Sequence, residues 1–446
     1  MKPQLITLLL LALIIFEFEP IQADAAVGPD MVARATEIPS CAVYVDAASP
    51  ANGKGSAEQP WQLIAQAIAA AEPGAVICVA EGTYPEQLTP GEKYFTLAGG
   101  FQHGASFKVR DSSAYVSKAI GKGGSFLRVE DPGPKNDQLI AIEGFEITGY
   151  SQAIYRDIYY SQRFDITNNF VHDNVCADQS LVGGGFALNN VSGTIKGNVF
   201  TKNACGRGGA GFLNDSANAN SVLIEGNLID GNAGTEPDSS HGGALYLFGN
   251  TLVITGNVFT NNSVTQWGGG LYVGAFTAGN QPTTATLSWN VYRSNHAGNA
   301  GGGFFCDDGA TCLSSHEVYD KNCGGNILLD GGPMGSGPTT TKFDHITNVR
   351  ALDVQCTAPG VGVFIDTYEA VAPDSYSCTN ALFWGNAENG DFATACSKAC
   401  SQLHASVTHS MVQTKYADGS VAIGFGKGIV TPADPHFVAL EGDDLK

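Results

Sequence analysis

An asparagine recurs at nearly equal intervals through the middle of this chain. It follows a short apolar segment in TIKGNVFTKN, LIEGNLIDGN, VITGNVFTNN and TLSWNVYRSN. Steps of 29, 29, 30 and 33 residues separate the first asparagine of successive units, Asn169, Asn198, Asn227, Asn257 and Asn290. The second asparagine falls at Asn174, Asn203, Asn232, Asn262 and Asn295, and Asn322 and Asn386 continue that series. A fixed period of this length is typical of a repeat architecture rather than of several compact domains.

A glycine pair followed by bulky residues is interleaved with the asparagines. It begins at Gly183, Gly242, Gly268, Gly301 and Gly324. Each period therefore holds two or three runs of four to six β-prone residues between turns, and none of these runs has a helical period. The many turns account for the 56 glycines. We interpret the glycine pairs as turns that need a positive φ, and the asparagine columns as ladders that stack on successive coils.

The expected fold class is all-β, a single-stranded right-handed parallel β-helix with a helical cap at its N-terminal end. The capping helix is predicted over Trp61–Ala71, with Leu63, Ile64, Ala67, Ile68 and Ala71 on its apolar face. Such a cap covers the apolar core that an open coil end exposes. The β-helix is expected over residues 41–438, after a flexible segment at 26–40 and before a tail at 439–446.

Residues 1–25 are typical of a secretory signal peptide. A run of 12 residues that are apolar apart from Thr7 covers Leu5–Phe16, and Ala23-Asp24-Ala25 is a small-x-small cleavage pattern. Twelve residues are too few to span a bilayer, and no later segment approaches 18 apolar residues. We expect a secreted protein, extracellular or on the cell surface, without membrane insertion.

The 11 cysteines agree with export, because disulfides persist in oxidising compartments. The short loops Cys306–Cys312 and Cys396–Cys400 are candidate pairs, and so are Cys41–Cys78, Cys176–Cys205 and Cys356–Cys378. Cys323 is then left without a partner. Cys176 and Cys205 each lie two residues after a ladder asparagine, so their Cα atoms are expected about 5 Å apart.

The segment Val43–Leu88, with its strand, amphipathic helix and second strand, resembles the N-terminal cap and first coil of secreted right-handed parallel β-helix proteins of the pectate-lyase-like superfamily. The repeats resemble those of polymorphic outer-membrane proteins, and GFGKGIVTPADPHFV resembles the closing segment of many such chains. The resemblance covers about Cys41 to Val438. It implies the fold, but it leaves the activity open, since the superfamily includes lyases, hydrolases, esterases, epimerases and non-catalytic surface proteins.

Alignment on the glycine pairs gives one row of candidate site residues. The residue before the pair is Val182, Gly208, His241, Trp267 and Ala300 in turn, which predicts His241 and Trp267 on adjacent coils with Arg207 beside them. Tyr246 and Tyr272 form a second row. Aromatic rings suit stacking on sugars, so Trp267 and Tyr272 are candidate substrate-binding residues. His241, Arg207, Tyr246 and Lys202 are candidate catalytic residues. Alternatively, the two tyrosines point into the core, Trp267 packs under a loop, and His241 has no role.

Asp307 and Asp308 form a second cluster, inside the loop bounded by Cys306 and Cys312. Paired carboxylates suit glycoside hydrolysis or a Ca²⁺ site. The polygalacturonase-like branch of the superfamily adds Gly-His-Gly and Arg-Ile-Lys, which are missing here, so its catalytic set does not carry over. The alternative is a solvated loop.

The charge balance restricts the partners. With 23 basic and 43 acidic residues the net charge is −20, which disfavours nucleic acid as a partner. Residues 170–330 hold 5 Lys or Arg against 12 Asp or Glu, so a polyuronate would be repelled unless Ca²⁺ bridges it. This weakens the interpretation as a polysaccharide lyase.

Two hypotheses follow. The first is a secreted, carbohydrate-active, monomeric β-helix protein that binds a polysaccharide in an external groove and cleaves it as a lyase or hydrolase. The second is a non-catalytic cell-surface or adhesin-like scaffold. The inserted segments GTEPDSSHGG and VGAFTAGNQPTTA, in the middle of the repeats, favour a groove.

Overall fold

The fold is described from a computed structural model. It covers residues 35–104, 106–131, 133, 136–215, 220–275, 283–330, 339–349, 351, 362–367, 375–384, 386, 391–396, 404–412, 418–419, 423–425, 427 and 429, which belong to one compact unit, Val27–Thr431. The predicted signal peptide at 1–25 and tail at 439–446 lie outside these residues.

The chain is a parallel β-helix, as the repeats predict. A typical coil contributes one strand to each of three long sheets, and the strand pairs within these sheets are parallel. We name the sheets A, B and C, and a short fourth sheet D.

In the described part of the chain, sheet A has 14 strands, which are Val43–Val45, Ala75–Ala80, Phe95–Phe101, Asn136–Glu143, Gln162–Thr167, Val191–Lys196, Ser221–Glu225, Thr251–Thr255, Thr284–Ser288, Thr311–Ser315, Thr340–Asp344, Ser375–Thr379, His404–Thr408 and Gly424–Phe425. Sheet B has 12, which are Gly82–Tyr84, Ser117–Ile120, Phe145–Thr148, Phe170–His172, Val199–Thr201, Leu228–Asp230, Val258–Thr260, Val291–Arg293, Val318–Asp320, Thr347–Val349, Leu382–Trp384 and Met411–Val412.

Sheet C has 11 strands in the same described residues, which are Leu127–Glu130, Ile154–Asp157, Phe186–Asn189, Gly211–Asn214, Leu245–Phe248, Leu271–Gly274, Phe304–Cys306, Ile327–Asp330, Val363–Thr367, Phe392–Cys396 and Asp418–Gly419. Sheet D has four, which are Ala204–Cys205, Ala233–Gly234, Ser263–Val264 and His296–Ala297. Along one coil the chain passes from A to B, then through D in the middle coils, and then to C.

The asparagine columns form two buried ladders. Asn198 is representative: its side-chain amide donates to the carbonyl of Ile166 at 2.8 Å and to Oδ1 of Asn227 at 3.0 Å, and its backbone N–H donates to the same Oδ1 at 2.9 Å. The second ladder repeats this pattern from Asn174 to Asn322. Each asparagine thus satisfies backbone groups that the turn leaves inside the coil.

The ends of the two ladders differ from the repeat pattern. In the first ladder the place after Asn290 belongs to Glu317, whose Oε1 accepts the side-chain amide of Asn290 at 3.0 Å. In the second ladder Asn322 donates to Asn326 at 2.8 Å, and Asn326 donates to Asn386 at 3.5 Å. The predicted continuation through Asn322 to Asn386 is therefore present, with Asn326 between them.

The capping helix is shorter than predicted and spans Ile64–Ala70. Ile64, Ala67 and Ile68 are buried in the main core. Leu63 is 40% exposed, so its predicted place on the apolar face is wrong. The carboxylate of Glu86 accepts the backbone N–H groups of the first turn, which fixes the helix on the coil behind it. No helix in the described residues is long and apolar enough to cross a membrane.

Three predicted disulfides are present, Cys41–Cys78, Cys176–Cys205 and Cys306–Cys312. The Cα atoms of Cys176 and Cys205 are 4.8 Å apart, because the two residues occupy one position on successive coils.

The remaining cysteines correct the prediction. The pairing Cys356–Cys378 is wrong, because Cys378 is a buried free thiol inside the coil. Cys323, expected to be free, is disulfide-bonded. The Cys396–Cys400 pair lies outside the described side chains.

Candidate functional site

The outer face of sheet C carries a row of aromatic side chains. Leu245 and Leu247 belong to the main core, so the alternation of a strand directs Tyr246, which lies between them, to the outer face. Successive coils stack Phe212, Tyr246, Tyr272, Phe305 and Leu328 in register. These residues form a second apolar cluster, separate from the core. We call it the aromatic floor.

Tyr246 and Tyr272 are thus external but covered. They are 5% and 3% exposed, and their ring centroids lie 5.0 Å apart. The alternative that they point into the core is wrong for both. Their burial restricts them to supporting a ligand through neighbouring side chains, because little of either ring reaches the surface.

A second row stands at the turn before sheet C. Isolated β-bridges pair Val182 with Arg207, His241 with Trp267, and Trp267 with Ala300. The glycine after each residue donates its N–H to the next coil, and Gly208 donates in this way to His241. The row is therefore Val182, Arg207, His241, Trp267 and Ala300. The sequence alignment placed Gly208 in this row and was wrong by one residue, so Arg207 stands within the row.

Left-handed backbone at the glycine after each row residue turns the chain sharply. Gly242 and Gly268 have φ values of 63° and 71°, which residues with a side chain rarely adopt. The turn folds His241 back over the aromatic floor. Its ring lies 5.1 Å from Trp267 in a stacked arrangement and 5.1 Å from Tyr272 edge to face.

His241 is held as a neutral imidazole. Burial lowers its pKa to about 4, and the charge of Arg207 acts in the same direction. Nδ1 lies 2.7 Å from the carbonyl oxygen of Ser239, which can only accept, so Nδ1 carries the proton and Nε2 is an acceptor. Histidine ordinarily titrates near neutrality, and His241 does not. Around neutral pH it is a hydrogen-bond acceptor rather than a proton-transfer group.

Arg207 is tied to its surroundings. Its Nε donates to Glu236 at 2.7 Å, and one terminal nitrogen donates to the Ser239 hydroxyl at 2.6 Å. Burial lowers the pKa of Arg207, but the hydrogen bond to Glu236 and the interaction with Tyr246 more than offset this and raise it. A guanidinium already paired with a carboxylate is poorly placed to neutralise the carboxylate of a uronate substrate.

Lys202 occupies a different turn. It follows the sheet B strand Val199–Thr201, is exposed, and has a φ of 53°. Its backbone N–H donates to Asp230 on the next coil. Among the described contacts, none joins Lys202 to His241 or Arg207, so the structure does not group it with the other candidates.

Asp307 lies at the end of a sheet C strand, beyond the aromatic floor. Its Oδ2 accepts the hydroxyl hydrogen of Tyr272 at 2.6 Å, and its Oδ1 accepts the backbone N–H of Asp308 at 2.8 Å. Burial raises its pKa well above the ordinary value, and the charges of Asp308 and Asp330 add to this. Asp307 is thus a buried carboxyl group with a raised pKa, and Tyr272 connects it to the floor.

Asp308 is half-buried and follows Asp307 in a left-handed turn with a φ of 52°. Burial raises its pKa from 3.8 to about 6. The disulfide Cys306–Cys312 closes the loop that presents both carboxyl groups. Asp308 is therefore a partly accessible carboxyl group that binds and releases a proton near physiological pH.

The two aspartates do not fit a calcium ion. Ca²⁺ takes six to eight oxygen ligands, whereas both oxygens of Asp307 already accept hydrogen bonds within the protein. Across the residues that the structure describes, no group of three or more His, Cys, Asp or Glu side chains is placed to hold a metal.

Three residues of this surface were not singled out from the sequence, namely Glu236, Ser239 and Asp330. Glu236 and Ser239 belong to the inserted segment GTEPDSSHGG, whose insertion among the repeats favours a groove. Their position directly before His241 was the available signal. The sequence held no signal for Asp330, because its place one coil after Asp307 depends on the register of sheet C.

The fold and this surface define a parallel β-helix protein with an aromatic and acidic external face. The chain belongs to a family of proteins of unknown function, DUF1565, whose model matches residues 49–298. No curated protein sequence is significantly similar to it.

Two solved structures show a distant likeness. Both are of the GH136 lacto-N-biosidase from Eubacterium ramulus, as the native protein and as a selenomethionine derivative. They share 10% identity with this chain and cover 87% of it and 68% of their own length, with TM-scores of 0.37 and 0.35. Similarity of this size indicates nothing about activity.

Proposed function

We propose that this protein binds a glycan over the aromatic floor and cleaves it by hydrolysis, with Asp308 as the proton donor. The observation that carries the proposal is the half-buried carboxyl of Asp308, with a pKa of about 6, beside the buried Asp307. A general acid is most effective when its pKa lies near the working pH.

The row above the floor supplies the binding groups. The indole of Trp267 is partly exposed and stacks on His241, so it offers an aromatic surface for the apolar face of a sugar. Nε2 of His241 accepts a hydrogen bond from a sugar hydroxyl. Tyr246 and Tyr272 hold these groups and Asp307 in place from below.

Hydrolysis needs a second carboxyl group. Glu236 is the candidate, because it is partly exposed on the same face and held by Arg207. A lyase is less well supported: His241 is a weak base with its pKa near 4, and Arg207 is already paired.

We further propose that the protein is exported, in keeping with residues 1–25 and with three disulfides in the described chain. Kinship with the pectate-lyase-like superfamily is proposed on the resemblance of Val43–Leu88, and so is the likeness of the repeats to polymorphic outer-membrane proteins. Neither contributes to the assignment of the site.

The test is a panel of polysaccharides and oligosaccharides incubated with the mature protein. New reducing ends report hydrolysis, and ultraviolet absorbance of unsaturated uronates reports elimination. For the substrate found, we expect Asp308→Asn and Glu236→Gln each to lower kcat at least about 100-fold, and Trp267→Ala to act mainly on KM.

Glu58→Gln is the matched control, since Glu58 is an exposed carboxylate near the N-terminal cap. It should keep full activity. Unsaturated products would show that the protein acts as a lyase rather than as a hydrolase. A panel without binding or turnover would support the non-catalytic scaffold instead. Full activity in Asp308→Asn would exclude Asp308 as the proton donor.

A further inference from the structure

Most basic residues of the middle coils lie away from the aromatic floor. Five Lys or Arg occur between residues 170 and 330. Four of them lie in strands of sheets A and B or directly after sheet B strands, namely Lys196, Lys202, Arg293 and Lys321. The sheet C strands of the same range contain no Lys or Arg. Among the described residues of this range, Arg207 is thus the single basic residue next to the floor.

Acidic groups outnumber Arg207 around the floor. Glu236 neutralises Arg207 through a contact of 2.7 Å. Asp238 follows Glu236 two residues later and is exposed. Asp308 acts electrostatically on both tyrosines of the floor, which places its carboxyl group close to them. Since its pKa is about 6, Asp308 is largely ionised at neutral pH. The surface around the floor therefore carries net negative charge near neutrality.

The uncharged groups of the site also favour a cationic ligand. Nε2 of His241 carries a lone pair and, among the described contacts, has no hydrogen-bond partner within the protein. The partly exposed indole of Trp267 presents a ring face, and aromatic ring faces attract cations. A ligand carboxylate would meet the lone pair of Nε2 and the surrounding carboxylates. A ligand ammonium group can donate to Nε2 and is attracted by both the ring and the carboxylates.

We propose that the glycan bound over the aromatic floor is a chain of amino sugars with free, protonated amino groups, of the β-linked glucosamine type. This inference rests on the proposed glycan site and names the class of substrate for it. An N-acetylated or a neutral sugar gains the stacking and hydroxyl contacts but loses the attraction between charges. A polyanion is repelled by the site and by the net charge of −20.

Three hexasaccharides test the inference, namely β-1,4-linked glucosamine, N-acetylglucosamine and glucose. They differ only at C2, which carries an ammonium, an acetamido or a hydroxyl group. Each is titrated by calorimetry into the parent protein slightly below neutral pH, and chromatography of the same samples reports cleavage. The KM of initial rates replaces the Kd for a probe that is cleaved. We expect the glucosamine hexasaccharide to bind at least about tenfold more tightly than the other two at low salt. Added salt should reduce this advantage.

Two charge reversals separate the site from the protein as a whole. Asp238→Lys and Glu58→Lys change the net charge equally, and both residues are exposed, but Glu58 lies near the N-terminal cap. We expect Asp238→Lys to weaken binding of the glucosamine hexasaccharide about fivefold and to leave cellohexaose unaffected. Glu58→Lys should bind both probes as the parent does. Equal effects of the two substitutions would assign the preference to the overall charge and overturn the inference.

The outcomes distinguish the substrate class from the proposed hydrolysis. Binding of cellohexaose or the N-acetylated probe as tightly as the glucosamine hexasaccharide would overturn the inference and leave the glycan site in place. Binding of none of the three probes would also overturn it, while the polysaccharide panel still decides the hydrolysis. Preferential binding of the glucosamine hexasaccharide without cleavage would support the inference and contradict hydrolysis of this chain.

Discussion

Glu317 closes the first asparagine ladder by accepting two hydrogen bonds from Asn290. Its Oε1 lies 3.2 Å from the backbone nitrogen of Asn290 and 3.0 Å from the side-chain nitrogen. The carboxyl group is 1% exposed, and burial raises its pKa from 4.5 to about 8. A buried acid that is neutral at physiological pH thus occupies a place that asparagine fills on the preceding coils.

This placement predicts a pH dependence of stability. Between about pH 4.5 and about pH 8 the folded protein holds a proton on Glu317 that the unfolded chain releases, so the free energy of unfolding falls as the pH rises and levels off above about 8. Glu317→Gln keeps the acceptor oxygen and removes this dependence. Near pH 8 we expect the variant to be more stable by a few kcal/mol, at roughly 1.4 kcal/mol per pKa unit.

Urea unfolding of Glu317→Gln and of the parent at a series of pH values measures the effect. Glu58→Gln, at an exposed carboxylate, should retain the slope of the parent. Parallel stability curves for Glu317→Gln and the parent would show that Glu317 ionises normally in the folded protein.

The pH profile of the proposed hydrolysis should follow the protonation of Asp308. Since burial raises the pKa of Asp308 to about 6, the fraction protonated is high below that pH and falls tenfold per unit above it. We expect kcat to follow this acidic limb for whichever glycan is cleaved. A kcat that rises from about pH 5 to about pH 8 would assign proton donation to a different group.

We expect substitution of Arg156 to cause a large loss of stability. Its side chain is 0% exposed, and it donates to Gln162 at 2.9 Å and to the carbonyl oxygens of Ile158, Tyr160 and Asn189. Burial lowers its pKa to about 10, so it stays charged near neutrality. Arg156→Met keeps much of the volume but removes the guanidinium from these acceptors, of which Ile158 retains a hydrogen bond from Asn190. The loss should cost roughly 3 kcal/mol or more.

The matched control is Arg163→Met. Arg163 is 54% exposed and pairs with Asp165 at 2.9 Å, so its loss should change the free energy of unfolding by less than about 1 kcal/mol. Equal effects of the two substitutions in urea unfolding would contradict a structural role for the buried guanidinium.

Peptide mapping under non-reducing conditions tests the disulfides. Six of the 11 cysteines pair with one another, and Cys378 is free, so the partner of the disulfide-bonded Cys323 is Cys356, Cys396 or Cys400. We expect one of these three linkages in the map. Cys378 should react with an alkylating reagent only after unfolding, because burial raises its pKa to about 12. Rapid alkylation of native Cys378 would contradict its place inside the coil.

The repeats made the fold predictable because each periodic residue has one local task. Asn198 and Asn227 satisfy turn backbone groups on successive coils, so equal spacing in sequence translates directly into stacking. Glu317 escaped prediction because it performs the same task with a different side chain. The pairing of Cys356 with Cys378 failed for a related reason: Cys378 alternates inward on its strand, which spacing alone does not reveal.

The candidate site was predictable in position and less so in chemistry. The glycine pairs placed His241 next to Trp267, and a register error of one residue misplaced Arg207. The pKa of His241 depends on burial against the rings of Tyr246 on its own coil and of Trp267 and Tyr272 on the next coil. Burial of this kind arises from three-dimensional packing, so the residue type alone does not give the pKa of His241.

Asn169, Asn198 and Asn227 are separated by equal steps of 29 residues. A whole coil can therefore be removed or duplicated as a unit. The hydrogen bonds that a coil makes to the one before it are the same as those it makes to the one after it. Loss or duplication of one whole coil within these positions leaves the ladder continuous, whereas a change of a few residues inside a strand breaks it. Relatives of this chain should therefore differ in length by whole coils, or by loops of any size at the corners.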